Sequence, residues 1–350
     1  TLGQSGLSGA QYIPSNIVEK KIDNSIEFIS NTGNVIKSIN DKNVISNNSN
    51  GDQLTYIVKY LDKLAEFENI ETKPLWLDSI PEKIFISDLR KKYNITEDKN
   101  VIAPIIGEFD DPYNQRQGIV RYNLLKSGNS IIYGSADSGK ENLISTLIYD
   151  IMNNYSTSKV ETYILDFGSE AFKIFKNSPT VGDVITASDT EKLERFFDII
   201  WAKFTERKNI LSSYNGDYDL YLKTSGKTMP ILFVVINSYE VFVEMTENKY
   251  EDIITSLTRE CIKYGIVFCV TTTAYHDMRF RLSQNFKNKI ALRLNKEDDL
   301  FNIFENVGKK RASNLFGRGL IRLEDDDEIY EFQTARICEP EKYNEIIKSK

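Results

Sequence analysis

SIIYGSADSGKEN, residues Ser130–Asn142, is the stretch that decides the fold of this chain. It contains the pattern G-x-x-x-x-G-K from Gly134 to Lys140, and Glu141 then stands where Ser or Thr would complete the pattern. The glycines let backbone N–H groups curl around a phosphate, and the lysine reaches the terminal phosphates. The missing hydroxyl is the group that would hold Mg²⁺. The pattern therefore predicts a phosphate cradle without its usual metal ligand.

This loop follows a predicted strand and opens a predicted helix, Lys140–Asn153, which is the context that a phosphate-binding loop requires. The candidate nucleotide-binding residues are Gly134, Ser135, Ala136, Asp137, Ser138, Gly139, Lys140, Glu141 and Asn142. ATP is the cofactor that these residues allow, whereas Mg²⁺ is disfavoured and no metal site is predicted. Asp137 and Glu141 place two carboxylates beside Lys140 and so disfavour a triphosphate. A folded loop that binds nothing is therefore the alternative.

The strand that carries the acidic residues of an ATPase site is also altered. An active enzyme carries an apolar strand that ends in Asp, often followed by Glu, to hold the metal and activate water. Here the strand Ile231–Ile236 ends in Asn237 and Ser238, and neither can act as a carboxylate base. We therefore predict no catalytic residue and little hydrolysis. Glu240 is either a displaced base or a residue that faces solvent or pairs with a neighbour.

Other polar residues have weaker functional interpretations. Asp166 follows a strand at the predicted carboxyl edge of the sheet, a position that permits catalysis without singling the residue out. Thr271–Thr273 either sense a terminal phosphate or simply end a strand. The acidic run Asp325–Glu328 is expected to be a solvated β-turn, since it lacks the alternating ligands and glycine of a calcium loop.

Arg279, Arg281 and Arg318 are predicted to lie in exposed loops. They are either arginine fingers that reach the nucleotide of a neighbouring module or members of surface ion pairs.

Charge and composition limit the possible partners. The net charge is −7 and the sequence pI is about 5.2, which disfavours nucleic acid as a partner because such binding needs a basic face. The 3 cysteines form no C-x-x-C pair, as expected for a reducing compartment. No apolar stretch approaches the roughly 18–20 residues of a membrane span.

Beyond about residue 100, short apolar runs alternate with helical patterns, which predicts an α/β fold with a mostly parallel central sheet, flanking helices and an antiparallel tail. The predicted strands are Val101–Ile106, Ser130–Tyr133, Glu161–Asp166, Ile231–Ile236, Ile266–Thr271, Lys289–Arg293, Gly319–Leu323 and Ile329–Gln333. The predicted helices are Lys140–Asn153, Glu191–Ser213, Tyr250–Tyr264 and Asp298–Phe304. Before them come short β-like runs at Ser25–Ile29 and Asn34–Ile39, a flexible SNNSNG linker, and an amphipathic helix over Gln53–Asn69.

The order of motifs resembles an FtsK/SpoIIIE-type P-loop ATPase module. The resemblance rests on GEFDDPYNQRQ (Gly107–Gln117), GSADSGKE (Gly134–Glu141), YILDFGSEAF (Tyr163–Phe172), ILFVVINSYE (Ile231–Glu240) and GIVFCVTTTA (Gly265–Ala274), followed by FGRGLIRL. KPLWLDSIPEKI (Lys73–Ile84) is similar to the linkers of type VII (WXG100/ESX) secretion ATPases, the EssC/EccC family. SGAQYIPSN (Ser8–Asn16) resembles the end of a preceding module.

The resemblance implies a RecA-like module, the second rather than the third of the C-terminal modules. It implies that residues 1–50 end the preceding module and form a β-rich linker, residues 51–100 form a helical linker and connector, residues 101–338 form the ATPase module, and residues 339–350 form a tail. The implied location is a cytoplasmic domain of a membrane-anchored bacterial protein. The implied partners are neighbouring ATPase modules, WXG100-type secreted proteins and other membrane subunits of the secretion system, with a possible oligomer of the full-length protein.

Four functions remain open from the sequence. The first is a binding or regulatory module with weak or no ATP binding and little hydrolysis. The others are a working ATPase with an unusual metal site, an FtsK-like DNA translocase, and a substrate-binding module whose loop is vestigial.

Overall fold

A computed structural model describes residues 26–39, 52–70, 76–96, 101–305, 307–323 and 328–348. The chain divides into two compact units, Thr1–Leu75 and Trp76–Lys350. Across the described residues, no helix combines the length and the apolar character needed to cross a membrane.

The first unit holds an antiparallel hairpin and one helix. The hairpin pairs β1 (Ile26–Ile29) with β2 (Val35–Ile39), and the helix is α1 (Gln53–Phe67). Asp52 caps this helix because its side chain accepts a hydrogen bond from the Thr55 N–H at 3.0 Å. The two predicted β runs and the predicted helix are thus confirmed.

The second unit alternates strands and helices along the chain. Its strands are β3 (Ile105–Asp111), β4 (Arg116–Arg121), β5 (Ser130–Tyr133), β6 (Val160–Asp166), β7 (Val181–Thr186), β8 (Ile231–Asn237), β9 (Ile266–Thr272), β10 (Asn288–Leu292), β11 (Arg318–Arg322) and β12 (Ile329–Thr334). Its helices are α2 (Ile86–Lys92), α3 (Leu124–Ser127), α4 (Lys140–Asn154), α5 (Thr190–Ser212), α6 (Tyr218–Ser225), α7 (Tyr239–Met245), α8 (Glu251–Thr258), α9 (Phe280–Ser283), α10 (Asp299–Ile303) and α11 (Tyr343–Lys348).

These strands form one 10-stranded sheet in the order β4-β3-β12-β11-β10-β5-β9-β8-β6-β7. The block from β10 to β7 is parallel, whereas β11, β12, β3 and β4 continue from β10 as an antiparallel wing. All 7 residues of β8 are buried, as expected for a strand covered on both faces. The predicted α/β class with a mostly parallel sheet is confirmed, and the antiparallel part is larger than predicted because β3 and β4 join it.

Strands β4 and β7 are missing from the sequence prediction. In β7, Gly182 and Asp183 interrupt the apolar run, and both residue types are depleted in strands. The predicted strand Val101–Ile106 is displaced, since β3 begins only at Ile105. Pro104 precedes β3 and lacks the N–H group that a ladder needs.

The predicted helix Tyr250–Tyr264 is interrupted. Helix α8 ends at Thr258, and a separate 3₁₀ turn covers Cys261–Tyr264. The Thr258 carbonyl accepts a hydrogen bond from Asn129 Nδ2 at 2.9 Å. A side chain therefore occupies a carbonyl that the next helical turn would otherwise use.

Residues 76–96, here called the strap, pack against the second unit through their own small apolar cluster. The cluster contains Ile80, Ile84, Ile86, Leu89, Ile105 and Ala335. Two backbone hydrogen bonds join the strap to the residues after β12: Ile86 N donates to Arg336 O at 3.0 Å, and Arg336 N donates to Ile84 O at 2.8 Å. The strap is therefore fastened to the sheet and is not a free connector.

Arg318 also holds the strap, and the prediction that it lies in an exposed loop is wrong. It is the first residue of β11, and only 6% of its surface is exposed. Its guanidinium donates to Ile80 O at 2.8 Å and to Gln333 Oε1 at 2.9 Å. Because the strand begins here and the strap covers it, the side chain is used inside the unit. An arginine finger needs a free guanidinium, so Arg318 does not suit that role.

We expect Arg318→Ala to lower the free energy of unfolding by roughly 2–4 kcal/mol, because it leaves two buried oxygens without a donor. Arg281→Ala is the matched control, since Arg281 is exposed in α9, and should change stability by less than about 0.5 kcal/mol. Chemical denaturation measures both. Equal stability of the two variants would contradict the buried position of Arg318.

Candidate nucleotide-binding site

The predicted phosphate loop joins β5 to α4 at the carboxyl edge of the parallel strands. Its first residues are fixed by the two neighbouring strands. Gly134 N donates to Thr272 O at 3.0 Å, and Ser135 N donates to Arg293 O at 2.7 Å. The sheet therefore sets the position at which the loop begins.

The end of the loop is fixed by a contact between two glycines. Gly139 has φ +100°, and a Cβ atom on it would lie 2.9 Å from the Cα atom and the nitrogen of Gly317. Gly317 N in turn donates to Ser138 O at 2.9 Å. No side chain can be added at Gly139 without moving backbone, so the glycine is required on both conformational and steric grounds.

Several backbone N–H groups of the loop point to no protein acceptor. In the described part of the chain, this holds for the amides of Ala136, Asp137 and Gly139 and for those of the first turn of α4, residues 140–142. Unpaired amides at the start of a helix, with the positive end of the helix dipole, are suited to bind an anion. The loop thus keeps the shape and donors of a phosphate cradle.

Lys140 lies folded back on this loop. Its ammonium donates to the carbonyls of Gly134 and Ser135, the latter at 3.2 Å. Burial lowers the pKa of Lys140, while the negative charges of Glu240, Glu141 and Asp277 oppose that shift. The lysine is therefore placed to exchange two carbonyl partners for phosphate oxygens.

The two carboxylates predicted beside Lys140 differ in position. Asp137 is exposed at the tip of the loop, with φ +53°. Glu141 begins the first turn of α4, and its Oε1 accepts a hydrogen bond from Ser169 Oγ at 2.5 Å. Asn142, the last residue of the predicted set, donates from Nδ2 to Ala335 O at 3.0 Å.

Asn237 is held in a buried network at the end of β8. Its Nδ2 donates to Asp166 Oδ1 at 2.9 Å, and its Oδ1 accepts from Thr271 Oγ1 at 2.7 Å. Asp166 also accepts hydrogen bonds from the amides of Gly168 and Phe172, both at 3.2 Å. An amide satisfies both neighbours at once, whereas an aspartate at position 237 would face the Asp166 carboxylate.

The remaining polar residues of this edge pair with one another. Ser238 N donates to Thr271 Oγ1 at 2.9 Å, so this threonine has a structural contact. Thr273 Oγ1 donates to Glu240 Oε1 at 2.6 Å, which is the pairing with a neighbour that the sequence left open for Glu240. Glu240 Oε2 is buried without a hydrogen-bond partner among the described residues.

Arg279 and Arg281 lie at the start of α9. Arg279 precedes α9 and forms an ion pair at 3.0 Å with Glu251, a buried residue of α8. Burial raises the pKa of Glu251, and the positive charge of Arg279 opposes part of that shift. Arg281 is exposed within α9. Their role as arginine fingers stays a prediction. Asp325–Asp327 of the acidic run lie outside the described residues.

Sequence reasoning missed Arg293 as part of the site. It follows β10, and its guanidinium donates to Ala136 O at 2.9 Å and to Ser135 Oγ at 3.3 Å. Its place in the sequence, about 150 residues after the loop, gives no signal by itself. Only the knowledge that β10 pairs with β5 could have identified it.

Two polar side chains of this edge, Glu141 and Asn237, make hydrogen bonds inside the protein. Among the described residues there is no group of 3 or more His, Cys, Asp or Glu side chains arranged to hold a metal ion. Glu141 is bound to Ser169, and Asn237 uses both ends of its amide inside the protein.

Two curated relatives show the breadth of the similarity. The type VII secretion system protein EssC of Staphylococcus aureus strain MRSA252 is 26% identical over 363 residues, covering 99% of this chain and 24% of that protein. The ESX secretion system protein EccC of Geobacillus thermodenitrificans is 26% identical over 293 residues, covering 83% of this chain and 19% of that protein. The chain thus spans a quarter or less of the length of these relatives.

Solved structures share the fold. EssC ATPases 2 and 3 from Geobacillus thermodenitrificans match with a TM-score of 0.68 at 24% identity, over 78% of this chain and 50% of that one. Thermomonospora curvata EccC (ATPases 2 and 3), in complex with a signal sequence peptide, matches with a TM-score of 0.59 at 22% identity, over 83% of this chain and 50% of that one. The profile of the FtsK/SpoIIIE family matches residues 106–319, which include the loop and the whole parallel block. The chain therefore belongs to the FtsK/SpoIIIE family.

Proposed function

We propose that this chain is a regulatory module of a type VII protein secretion ATPase that binds a nucleotide and hydrolyses little or none. The observation that carries the proposal is the pairing of an intact phosphate cradle with Asn237, an amide locked between Asp166 and Thr271. The cradle supports binding, and the amide supports the loss of hydrolysis.

Nucleotide binding is supported by the unpaired amides of the loop and by Lys140. A triphosphate would take these donors, and the Lys140 ammonium would move from its carbonyl partners to phosphate oxygens. ATP is the nucleotide that the family suggests. The nearby carboxylates Glu141, Glu240 and Asp277 weaken this binding, since each repels an anion.

Efficient hydrolysis is disfavoured at two independent positions. Glu141 replaces the metal-binding hydroxyl, and Asn237 with Ser238 replaces the carboxylates that hold metal and activate water. Glu240 has a free oxygen, yet its other oxygen is bound to Thr273. A working ATPase remains the rival, and turnover that disappears in Lys140→Ala would support it.

The secretion context comes from the EssC and EccC relatives. In our proposal residues 101–338 are the second C-terminal module of a cytoplasmic region behind a membrane anchor. Residues 1–50 then end the preceding module and form a β-rich linker, residues 51–100 form a helical linker and a connector that includes the strap, and residues 339–350 form a tail. Bound nucleotide would shift the module between two conformations, by no more than the difference in its affinity for them. Neighbouring modules, other membrane subunits of the system and oligomer contacts would receive that change. Steeply salt-dependent DNA binding would instead favour the translocase alternative.

A second surface supports contact with a secreted protein. A groove of about 700 Å³ lies at the amino ends of β6 and β8, at the opposite edge of the sheet from the loop. Its apolar lining includes Ile102, Leu125, Leu222, Met229 and Ile231, and its lysines are Lys126, Lys159, Lys223 and Lys227. This lining suits a helix with an apolar face flanked by carboxylates. A WXG100-type export signal is our proposed occupant, and Thermomonospora curvata EccC forms a complex with a signal sequence peptide.

We expect ATP to raise the free energy of unfolding by about 2.7 kcal/mol at a hundredfold excess over Kd, without Mg²⁺. Lys140→Ala should abolish this gain, because it removes the ammonium that would exchange the carbonyls of Gly134 and Ser135 for phosphate oxygens. Lys296→Ala, at an exposed position, is the control. Chemical denaturation with and without ATP measures the gain in the free energy of unfolding for all three proteins. An unchanged gain in Lys140→Ala, or no gain in the unsubstituted chain, would refute nucleotide binding.

Asn237→Asp should not restore hydrolysis and should destabilise the protein by roughly 2–4 kcal/mol at pH 7, since it places two buried carboxylates side by side. Repulsion by a neighbouring carboxylate raises the pKa of the introduced carboxyl group above its unfolded value. The loss of folding stability is therefore fully present at a pH above the folded-state pKa of the introduced carboxyl group. It shrinks as the pH falls and that group takes up a proton. Asn209→Asp, on the exposed face of α5, is the control. Unfolding curves between pH 5 and 8 and a phosphate-release assay test this, and Lys140-dependent turnover would contradict it.

Reversing two charges of the groove, Lys223→Glu with Lys227→Glu, should weaken binding of a WXG100-type protein from the same bacterium about tenfold, through repulsion of its carboxylates. Lys192→Glu, which is on α5 and outside the groove, should leave the affinity unchanged. Titration calorimetry at fixed salt measures all three proteins. Binding that the double reversal leaves intact would exclude the groove as the binding site.

A further inference from the structure

An aromatic side chain stands beside the phosphate loop without a role in the core. Phe316 precedes the glycine that touches Gly139, and 41% of its surface is exposed. Its Cε1 atom would lie 3.6 Å from a Cβ atom at position 139. Arg336 covers one face of the ring, with its guanidinium carbon 5.0 Å from the ring centroid. The ring is therefore held in place while much of it stays open.

The same neighbourhood contains buried polar atoms that lack partners. Among the described residues, Ser138 Oγ, Thr334 Oγ1 and Arg336 Nε are buried and make no hydrogen bond. Ser138 and Thr334 both contact Gly317, since Gly317 N donates to Ser138 O and Thr334 N donates to Gly317 O at 2.8 Å, and the Arg336 guanidinium lies over the ring of Phe316, the residue before that glycine. Buried polar groups are normally paired, so these atoms are available to pair with a polar ligand beside the anion cradle.

The direction of a bound phosphate chain leads toward this cluster. Lysine in such a loop reaches the outer phosphates, while the amides at the helix start hold the inner ones. The inner end lies near Asn142, whose side chain is bonded to Ala335 O, the carbonyl next to Arg336. A nucleoside that leaves the cradle at this end thus meets residues 335–336 and the Phe316 ring.

We propose that Phe316, supported by Arg336, is the stacking surface for the base of a purine nucleotide whose phosphates occupy residues 134–142. This rests on the proposed function, because it needs a nucleotide in the loop. Stacking on an aromatic ring does not depend on hydrogen-bond readout and grows with the size of the base. The surface therefore favours ATP and GTP over CTP and UTP, without strong discrimination between the two purines.

The test compares ATP with inorganic tripolyphosphate, which carries the phosphates and lacks the base. Phe316→Ala should weaken ATP binding about tenfold and leave tripolyphosphate binding unchanged, whereas Phe316→Trp should keep the ATP affinity. Phe301→Ala is the matched control, since Phe301 is 54% exposed and pairs with Arg311 at 5.2 Å. Calorimetry measures the affinities, and unfolding midpoints confirm that each variant folds.

The outcomes separate the two proposals. Equal ATP affinity of the unsubstituted chain and Phe316→Ala, with Lys140-dependent tripolyphosphate binding retained, would overturn the stacking surface alone. Absence of both ATP and tripolyphosphate binding would overturn nucleotide binding and the stacking surface together. A loss of tripolyphosphate binding in Phe316→Ala would mean that the ring only supports the loop, and would also overturn the proposal.

Discussion

The close approach of Gly139 to Gly317 is the constraint on which the site depends. A Cβ atom at position 139 would lie 2.9 Å from the backbone of Gly317. The phosphate loop and the residue before β11 can therefore approach this closely only because position 139 has no side chain. This contact brings the antiparallel wing to the edge of the parallel block. It also places Phe316, Arg318 and Thr334 within reach of the loop or of the strap. The nucleotide site is thus built from both halves of the sheet.

The end of β8 lacks the carboxylates of an ATPase, and its side chains still form a complete hydrogen-bond network. In an ATPase the end of β8 carries carboxylates, and here Asn237 joins Asp166 to Thr271 through one amide. The neighbouring backbone is packed closely against this amide, since a Cβ atom on Gly168 would lie 2.7 Å from Asn237 Nδ2. A network of this kind, in which each polar group has a partner, resists movement. The geometry is that of a site adapted to hold one arrangement.

Periodicity and the loop motif were sufficient to predict most of the parallel block, because every residue of β5, β8 and β9 is buried and β6 ends in the buried residues Ile164, Leu165 and Asp166. They were insufficient for β7, whose pattern is broken by Gly182 and Asp183, and for α2, which depends on its contacts with the sheet. The loop residues were located from their spacing alone. Arg293 and Phe316 were not, since they reach the loop only through strand pairing and a long-range turn. Arg318 was misplaced because a strand boundary differing by one residue turned its side chain inward.

The strap gives the second unit a defined way of carrying mechanical force. A pull on the chain at Trp76 acts first on the hydrogen bonds between Ile84, Ile86 and Arg336 and on the Arg318 contact with Ile80. Until they yield, the tension passes to the residues that follow β12, next to the carbonyl that Asn142 and Thr146 hold from α4. Tension on the linker and the first turn of the phosphate-loop helix are thus connected by a short and stiff route.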